Sequence, residues 1–233
     1  MKVAIMQPYF FPYVGYYQLA ASVNRFIFLD DVNYIKKGYI NRNSILLNGE
    51  KFQYSIPVRK VSQNRTINNH FYTGNFSLFL QQIVSAYRKA PCFEEVYQII
   101  EQICCDGELN VGTKNALSIN RILEYLSISV PTTASSKLGL AAELHGERRI
   151  IAICSAVEAT EYVNPVGGAN LYSLRNFLNR GIKLTIKHPD IQPYRQTRSG
   201  FMSHLSIIDL LMSQGRNSAL YIKPLPSRRE TCL

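Results

Sequence analysis

Four apolar residues, Val3 to Met6, run into Gln7-Pro8, and a second apolar run, Phe26 to Leu29, closes on Asp30-Asp31. Between them, "GYYQLAASVN" from Gly15 to Asn24 has helical spacing, with Tyr16, Leu19, Ala20 and Val23 on one face. Strand, helix and strand within about thirty residues make a βαβ unit, so the two strands should lie parallel. That unit constrains the chain most. It predicts an α/β core whose first turn carries prolines and aromatics.

The rest of the chain reads around that core. "SILLNGEKFQYSIPV" predicts a hairpin turning at Asn48-Gly49. "FSLFLQQIVSAYRKA" predicts a helix with Ser77 as cap, stopping before Pro91. "FEEVYQIIEQICCDG" and "LSINRILEYLSIS" predict two more helices, the second ending before "VPTTASS". "GERRIIAICS" resembles the tail of a helix, and "ATEYVNPVGGANLYSLRNFLNRGIKLTIK" predicts a second strand–turn–helix–strand unit. "FMSHLSIIDLLMSQG" predicts a last amphipathic helix stopped at Gly215. The expected organisation is an α/β core from residues 1–75 and 146–223 that includes a basic hairpin. A helical block, 76–145, packs on that core, and 224–233 form a loose tail.

The chain is basic, with net charge +10, which favours polyanionic partners. Lys36, Lys37, Arg42, Lys51, Arg59, Lys60 and Arg65 are opposed between residues 35 and 65 only by Glu50. A solvated basic hairpin explains that cluster as well as an anion site does. Nucleic acid is disfavoured because no RRM, KH or helix-turn-helix signature is present. The five cysteines show no CxxC spacing, no signal peptide precedes the first strand, and no apolar run reaches the ~18 residues of a membrane span. The reading is a reduced, cytoplasmic protein. The four histidines show no metal-ligand spacing, so no metal site is expected.

Candidate site residues follow from the sheet geometry. In open α/β sheets, ligands sit at the carboxyl ends of the strands. Gln7 closes the first strand and Asp30 and Asp31 the second, so the three should open onto one edge. Amides donate and accept hydrogen bonds, and carboxylates take up protons. The aspartates could equally cap the next turn. Lys36, Lys37, Asn41, Arg42 and Asn43 form a cation and amide cluster suited to phosphate. Gly167-Gly168 can free backbone N–H groups for an anion, although a plain turn explains them equally well. His188 follows a strand and faces a site, His204 reads as a helix-surface or core residue, and Cys154 reads as buried. The element order resembles that of α/β nucleotidyltransferases. Their HxGH-like histidines are missing from "PYFFPYVGYY", so that likeness is topological only.

The residues also resemble a family. "MQPYFFPYVGYYQL…FIFLDDVNYIKKGYINRNSI", "IPV", "YRKAPCF", "YVNPVGGANLY", "PYRQ" and "LSIIDLLMSQG" are similar, in order, to the WbqC-like proteins of bacterial O-antigen and polysaccharide gene clusters. Two positions depart from the pattern: Tyr13 stands where tryptophan is frequent, and "MSQG" replaces a phenylalanine-asparagine pair. The resemblance points to Gln7, Pro8, Tyr9, Pro12, Gly15, Tyr16, Asp30, Asp31, Lys36, Arg42 and Asn43. In the second half it points to Tyr162, Gly168, Tyr172, Gln196, Ser206 and Asp209, and Tyr194 of "PYRQ" joins the substrate-binding set.

The resemblance implies surface-glycan synthesis by acyl or aminoacyl (glycyl-like) transfer onto the amine of a nucleotide-linked amino sugar, with an activated acyl donor. On that reading the basic segment holds the diphosphate and Tyr9, Tyr16 and Tyr172 stack on base or sugar. Asp30 or Asp31 deprotonates the amine, and Gln7 or the Gly167-Gly168 amides stabilise the oxyanion. The alternatives are a nucleotidyltransferase-like nucleotide-binding protein and a noncatalytic nucleic-acid or scaffold protein. Oligomerisation is left open.

Overall fold

The computed structural model describes residues 1–196 and 200–225. Most of the tail expected to be loose therefore lies outside the described residues. Five parallel strands form the central sheet: β1 (Lys2–Met6), β2 (Arg25–Phe28), β5 (Thr132–Ala134), β6 (Glu161–Pro165) and β7 (Lys183–Lys187). β3 (Arg42–Leu47) and β4 (Glu50–Ser55) pair separately as the expected hairpin. Its two turn residues, Asn48 (φ 53°) and Gly49 (φ 79°), both have positive φ, as a type I′ turn requires.

The sheet order is β5-β2-β1-β6-β7. Counted along the chain without the hairpin, this is 3-2-1-4-5, the doubly wound arrangement, whose order reverses between β1 and β6. The period-2 alternation of β1 serves two layers. Ala4 faces a cluster with Tyr16 and Leu19 of α1 (Val14–Ala21), while Val3 and Ile5 face Ile150 and Ile153 of α5 (Gly146–Ala156) and Phe177 of α6 (Leu174–Leu178).

The helical block is α2 (Ser77–Tyr87), α3 (Phe93–Cys105) and α4 (Val111–Tyr125). In α3, Val96, Ile100, Ile103 and Cys104 recur at helical spacing and are buried. With Phe79, Ile83 and Ile119 they join Ala4, Phe26 and Phe28 of the sheet in one apolar cluster. Lys114 is fully buried, yet its Nζ donates to the carbonyls of Ile103 (2.6 Å) and Asp106 (2.7 Å), so it caps the end of α3. Burial pushes its pKa down.

Several local expectations are corrected. Ser77 does not cap α2, since its amide and hydroxyl both donate to Asn75 Oδ1. α4 begins at Val111 rather than near Leu117, with Asn110 accepting from the Thr113 amide as its cap. Thr132–Ala134, inside the stretch expected to be a helical block, form a sheet strand, β5. The last helix, α7, spans only Ile207–Gln214, and His204 lies before it with φ 60° and its ring stacked on Tyr13. Among the described residues, no helix is long and apolar enough to cross a membrane.

Candidate functional site at the carboxyl edge of the sheet

The turn from β1 to α1 is held from outside. Phe10 and Phe11 are fully buried, and Phe11 has φ 48°. With these rings inward, the backbone carbonyls need partners. Tyr16 donates to the Gln7 carbonyl (2.9 Å), Asn115 to Pro8 (2.9 Å), Tyr54 to Phe10 (3.2 Å), and Asn43 (2.9 Å) and Ser206 (2.8 Å) to Phe11. Here the turn's aromatics anchor it, and hydroxyls and side-chain amides from elsewhere satisfy its backbone. Gly15 is needed for close approach: a Cβ there would sit 2.5 Å from the Tyr13 ring and 2.7 Å from Pro189 Cβ.

Asn115 also donates to the Ile40 carbonyl (2.7 Å), as does the Phe10 amide (3.1 Å), which binds the basic loop to this turn. Tyr39 packs its ring near that of Tyr9, at 6.2 Å between centroids. Lys36 and Lys37 are exposed on this loop. Burial, with Tyr13 and Tyr39 nearby, pushes the Tyr9 hydroxyl up to about 12, so it serves as a neutral donor.

Asp30 and Asp31 continue from β2 and do not cap the next turn. Ser135 Oγ, after β5, donates to both carboxylates, at 3.2 Å to Asp30 and 2.6 Å to Asp31. Asp30 also accepts from the Ser136 amide (3.0 Å) and hydroxyl (2.7 Å). Asp31 is clasped by the Arg149 guanidinium through Nε (3.1 Å) and Nη2. Arg149 Nη1 donates in turn to the carbonyls of Ala141 (3.1 Å) and Leu144 (3.4 Å). The two acids therefore differ. Asp31 is an ion-pair partner, while no lysine or arginine among the described residues pairs with Asp30. Asp30 instead borders a cavity of about 410 Å³ with Asn68, Asn110, Gly112, Ser136 and Lys137. Gln7 lies outside that cavity.

At the reversal point, β6 ends in Asn164-Pro165, followed by Gly167-Gly168. Asn164 is 4% exposed and its Oδ1 accepts from the Tyr162 hydroxyl (3.0 Å), but its Nδ2 has no partner among the described residues. A Cβ on Gly168 would sit 2.4 Å from that nitrogen, whereas one on Gly167 would meet nothing within 4 Å. Gly168→Ala is therefore expected to cost about 1–3 kcal/mol, because the buried Asn164 has little room to yield. Gly167→Ala is expected to stay within about 1 kcal/mol of wild type. Urea melts of the two variants check this, and equal midpoints would show that Gly168 has space.

The WbqC-like protein family matches residues 7–221, nearly the whole chain. The chain belongs to this family. A similar relative is the Mycobacterium tuberculosis protein named "Uncharacterized protein Rv1507c", 28% identical over 228 residues, covering 95% of this chain and 97% of its own. No solved structure matches.

The site candidates read from the sequence divide into two groups. Gln7, Tyr9, Asp30, Gly167, Gly168 and the exposed His188 follow the carboxyl ends of their strands, and Lys36 and Lys37 lie on the loop joined to the first turn. The others have structural partners. Tyr16 is 1% exposed and spent on the Gln7 carbonyl, so it cannot stack on a ligand. Asn41 bridges Tyr34 Oη and the Ile56 carbonyl, Asn43 holds Phe11, and Arg42 Nε donates to Gly38 (2.7 Å). Tyr172 packs edge-on against Tyr162 and Phe177. Tyr194 and Gln196 both donate to Asp209, away from the Asp30 cavity. Cys154 is buried and its thiol is pushed up to about 12 by desolvation, which leaves it unreactive. Among the described residues no group of three or more histidine, cysteine or carboxylate side chains is placed to hold a metal ion.

Ser135, Ser136, Arg149, Asn115 and Asn164 escaped the sequence reading. Only Asn164 carried a signal, as the polar residue ending an apolar strand just ahead of a double glycine.

Proposed function

We propose that this protein is a transferase of bacterial surface-glycan synthesis that moves an acyl or aminoacyl group onto the amine of a nucleotide-linked amino sugar. The observation that carries the reading is the Asn164 amide, which has no partner among the described residues, at the point where the strand order reverses. A buried donor without an acceptor is costly, and a ligand's acceptor there removes the cost. Tyr9 adds a hydroxyl donor and, with Tyr39, an aromatic surface. Lys36 and Lys37 supply charge for a diphosphate.

Asp30 is the base in this scheme and Asp31 its structural neighbour. Strand spacing sets the end of β2 about 10 Å from the end of β6, a span that a nucleotide-linked sugar covers. Asp30 takes a proton from the sugar ammonium. The freed amine attacks the carbonyl carbon of the activated donor. A C–N bond forms, the bond to the leaving group breaks, and the leaving group departs with its electron pair and takes up the proton that the nitrogen sheds. The Gln7 amide and the Gly167-Gly168 backbone amides are the oxyanion donors. No covalent enzyme intermediate is required.

Titration of the full chain with UDP- and dTDP-linked amino sugars tests the reading by calorimetry, and absence of heat across the panel counts against it. Asp30→Asn is expected to lower turnover about 10²–10⁴-fold. Its melting temperature should fall by only about 2–8 °C, because the amide still accepts from Ser136. Full turnover in Asp30→Asn would remove the base assignment. The strand order alone favours a second reading, a nucleotide-binding protein of nucleotidyltransferase type. Pyrophosphate release from nucleoside triphosphate and sugar phosphate would support that reading.

A further inference from the structure

Asp209, in the first turn of α7, is 3% exposed. Its Oδ1 accepts from the Tyr87 hydroxyl (2.7 Å), and its Oδ2 from the Tyr194 hydroxyl and the Gln196 amide, both at 2.8 Å. All three donors are neutral. Among the described residues no lysine or arginine pairs with this carboxylate. A buried carboxylate without a counter-charge is costly, and burial pushes its pKa up against the pull of the three donors. A carboxylate has about four acceptor positions, so Oδ1 keeps one open.

Asp209 lies on the wall of a cavity of about 480 Å³, within the size range of small-molecule sites. Ala90, Pro91 and Met212 contribute apolar surface, and Lys89 and Arg195 contribute cations. Both cations are exposed, while the acid is buried. Neither cation has an ion-pair partner among the described residues. The cavity is thus negative at its floor, positive at its rim and apolar between.

We propose that this cavity binds a zwitterion of the α-amino acid class, with its ammonium on Asp209, its carboxylate toward Lys89 and Arg195, and an apolar side chain against Ala90, Pro91 and Met212. The ammonium supplies the missing counter-charge, and a simple anion or simple cation satisfies only one end. The site shares no lining residue with the Asp30 cavity and does not depend on the transferase reading.

Calorimetry of the full chain with L-phenylalanine and L-leucine tests this. Binding is expected with Kd near or below about 1 mM. N-acetyl-L-phenylalanine lacks the cation and L-phenylalanine methyl ester lacks the anion, and each should bind at least about tenfold more weakly. Asp209→Asn should abolish detectable binding. Because that variant removes a buried group and could unfold, Lys89→Glu with Arg195→Glu is the second probe. It alters only exposed side chains, and should weaken L-phenylalanine binding at least about tenfold at an unchanged melting temperature. No heat from either amino acid, equal binding of the N-acetyl form, or full binding in the charge-reversed variant would each overturn the proposal.

Discussion

Asn115→Leu is expected to destabilise the protein by about 3–5 kcal/mol and lower its melting temperature by roughly 6–20 °C. The side chain is fully buried and makes three hydrogen bonds: to the Pro8 carbonyl, to the Ile40 carbonyl and from the Tyr72 hydroxyl (2.7 Å). Leucine matches its size but none of these bonds. Ile40 keeps the Phe10 amide, but the Pro8 carbonyl and Tyr72 hydroxyl become buried orphans, each costing about 1–3 kcal/mol. The loss also loosens the hold of the basic loop on the first turn, leaving the Phe10 amide on Ile40, so nucleotide-sugar binding should weaken with stability. Calorimetric melting together with ligand titration measures both. A melting temperature within a degree or two of wild type would mean that water or a rearranged loop takes over the role of Asn115.

The second large effect is expected from Arg149→Met, at about 3–5 kcal/mol. The guanidinium and the Asp31 carboxylate are 5% and 14% exposed, so removing one leaves a buried charge unbalanced. The Leu144 carbonyl also loses its donor, and the Ala141 carbonyl is left with the Leu144 amide alone. A double-mutant cycle with Asp31→Leu separates the two contributions. The double variant should be more stable than Arg149→Met alone, because the stranded carboxylate is gone. Simple additivity of the two single effects would show that the pair is not coupled. Hydrogen exchange should quicken over residues 139–145 in both variants that lack Arg149. Against Asp30→Asn the contrast is direct: one acid maintains the fold, the other is proposed to maintain turnover.

That difference between adjacent aspartates shows where sequence reading stops. The apolar runs around Gln7 and Asp30-Asp31, the Asn48-Gly49 turn and the helical spacing of α3 all act locally, and they mark their elements. β5 is three residues, Thr132 to Ala134, recognisable as a strand only from its pairing with β2, about a hundred positions earlier. α4 starts before its apolar pattern because Lys114, Asn115 and Ser118 are polar and buried, each satisfied by a carbonyl. The division between Asp30 and Asp31 rests on Ser135, Ser136 and Arg149, which the crossover connections bring to the end of β2. Tyr16, Asn41 and Asn43 look ligand-facing in a polar, aromatic stretch, but their polar atoms are committed to partners within the protein.

The five external donors on the first turn have a consequence for how the protein can vary. Each reaches one particular carbonyl between Gln7 and Phe11, and they come from four separate places along the chain. Adding or deleting one residue in that segment would shift every acceptor past its donor at once, so its length is locked even where its side chains could be exchanged. Family members should therefore differ here by replacement and not by insertion.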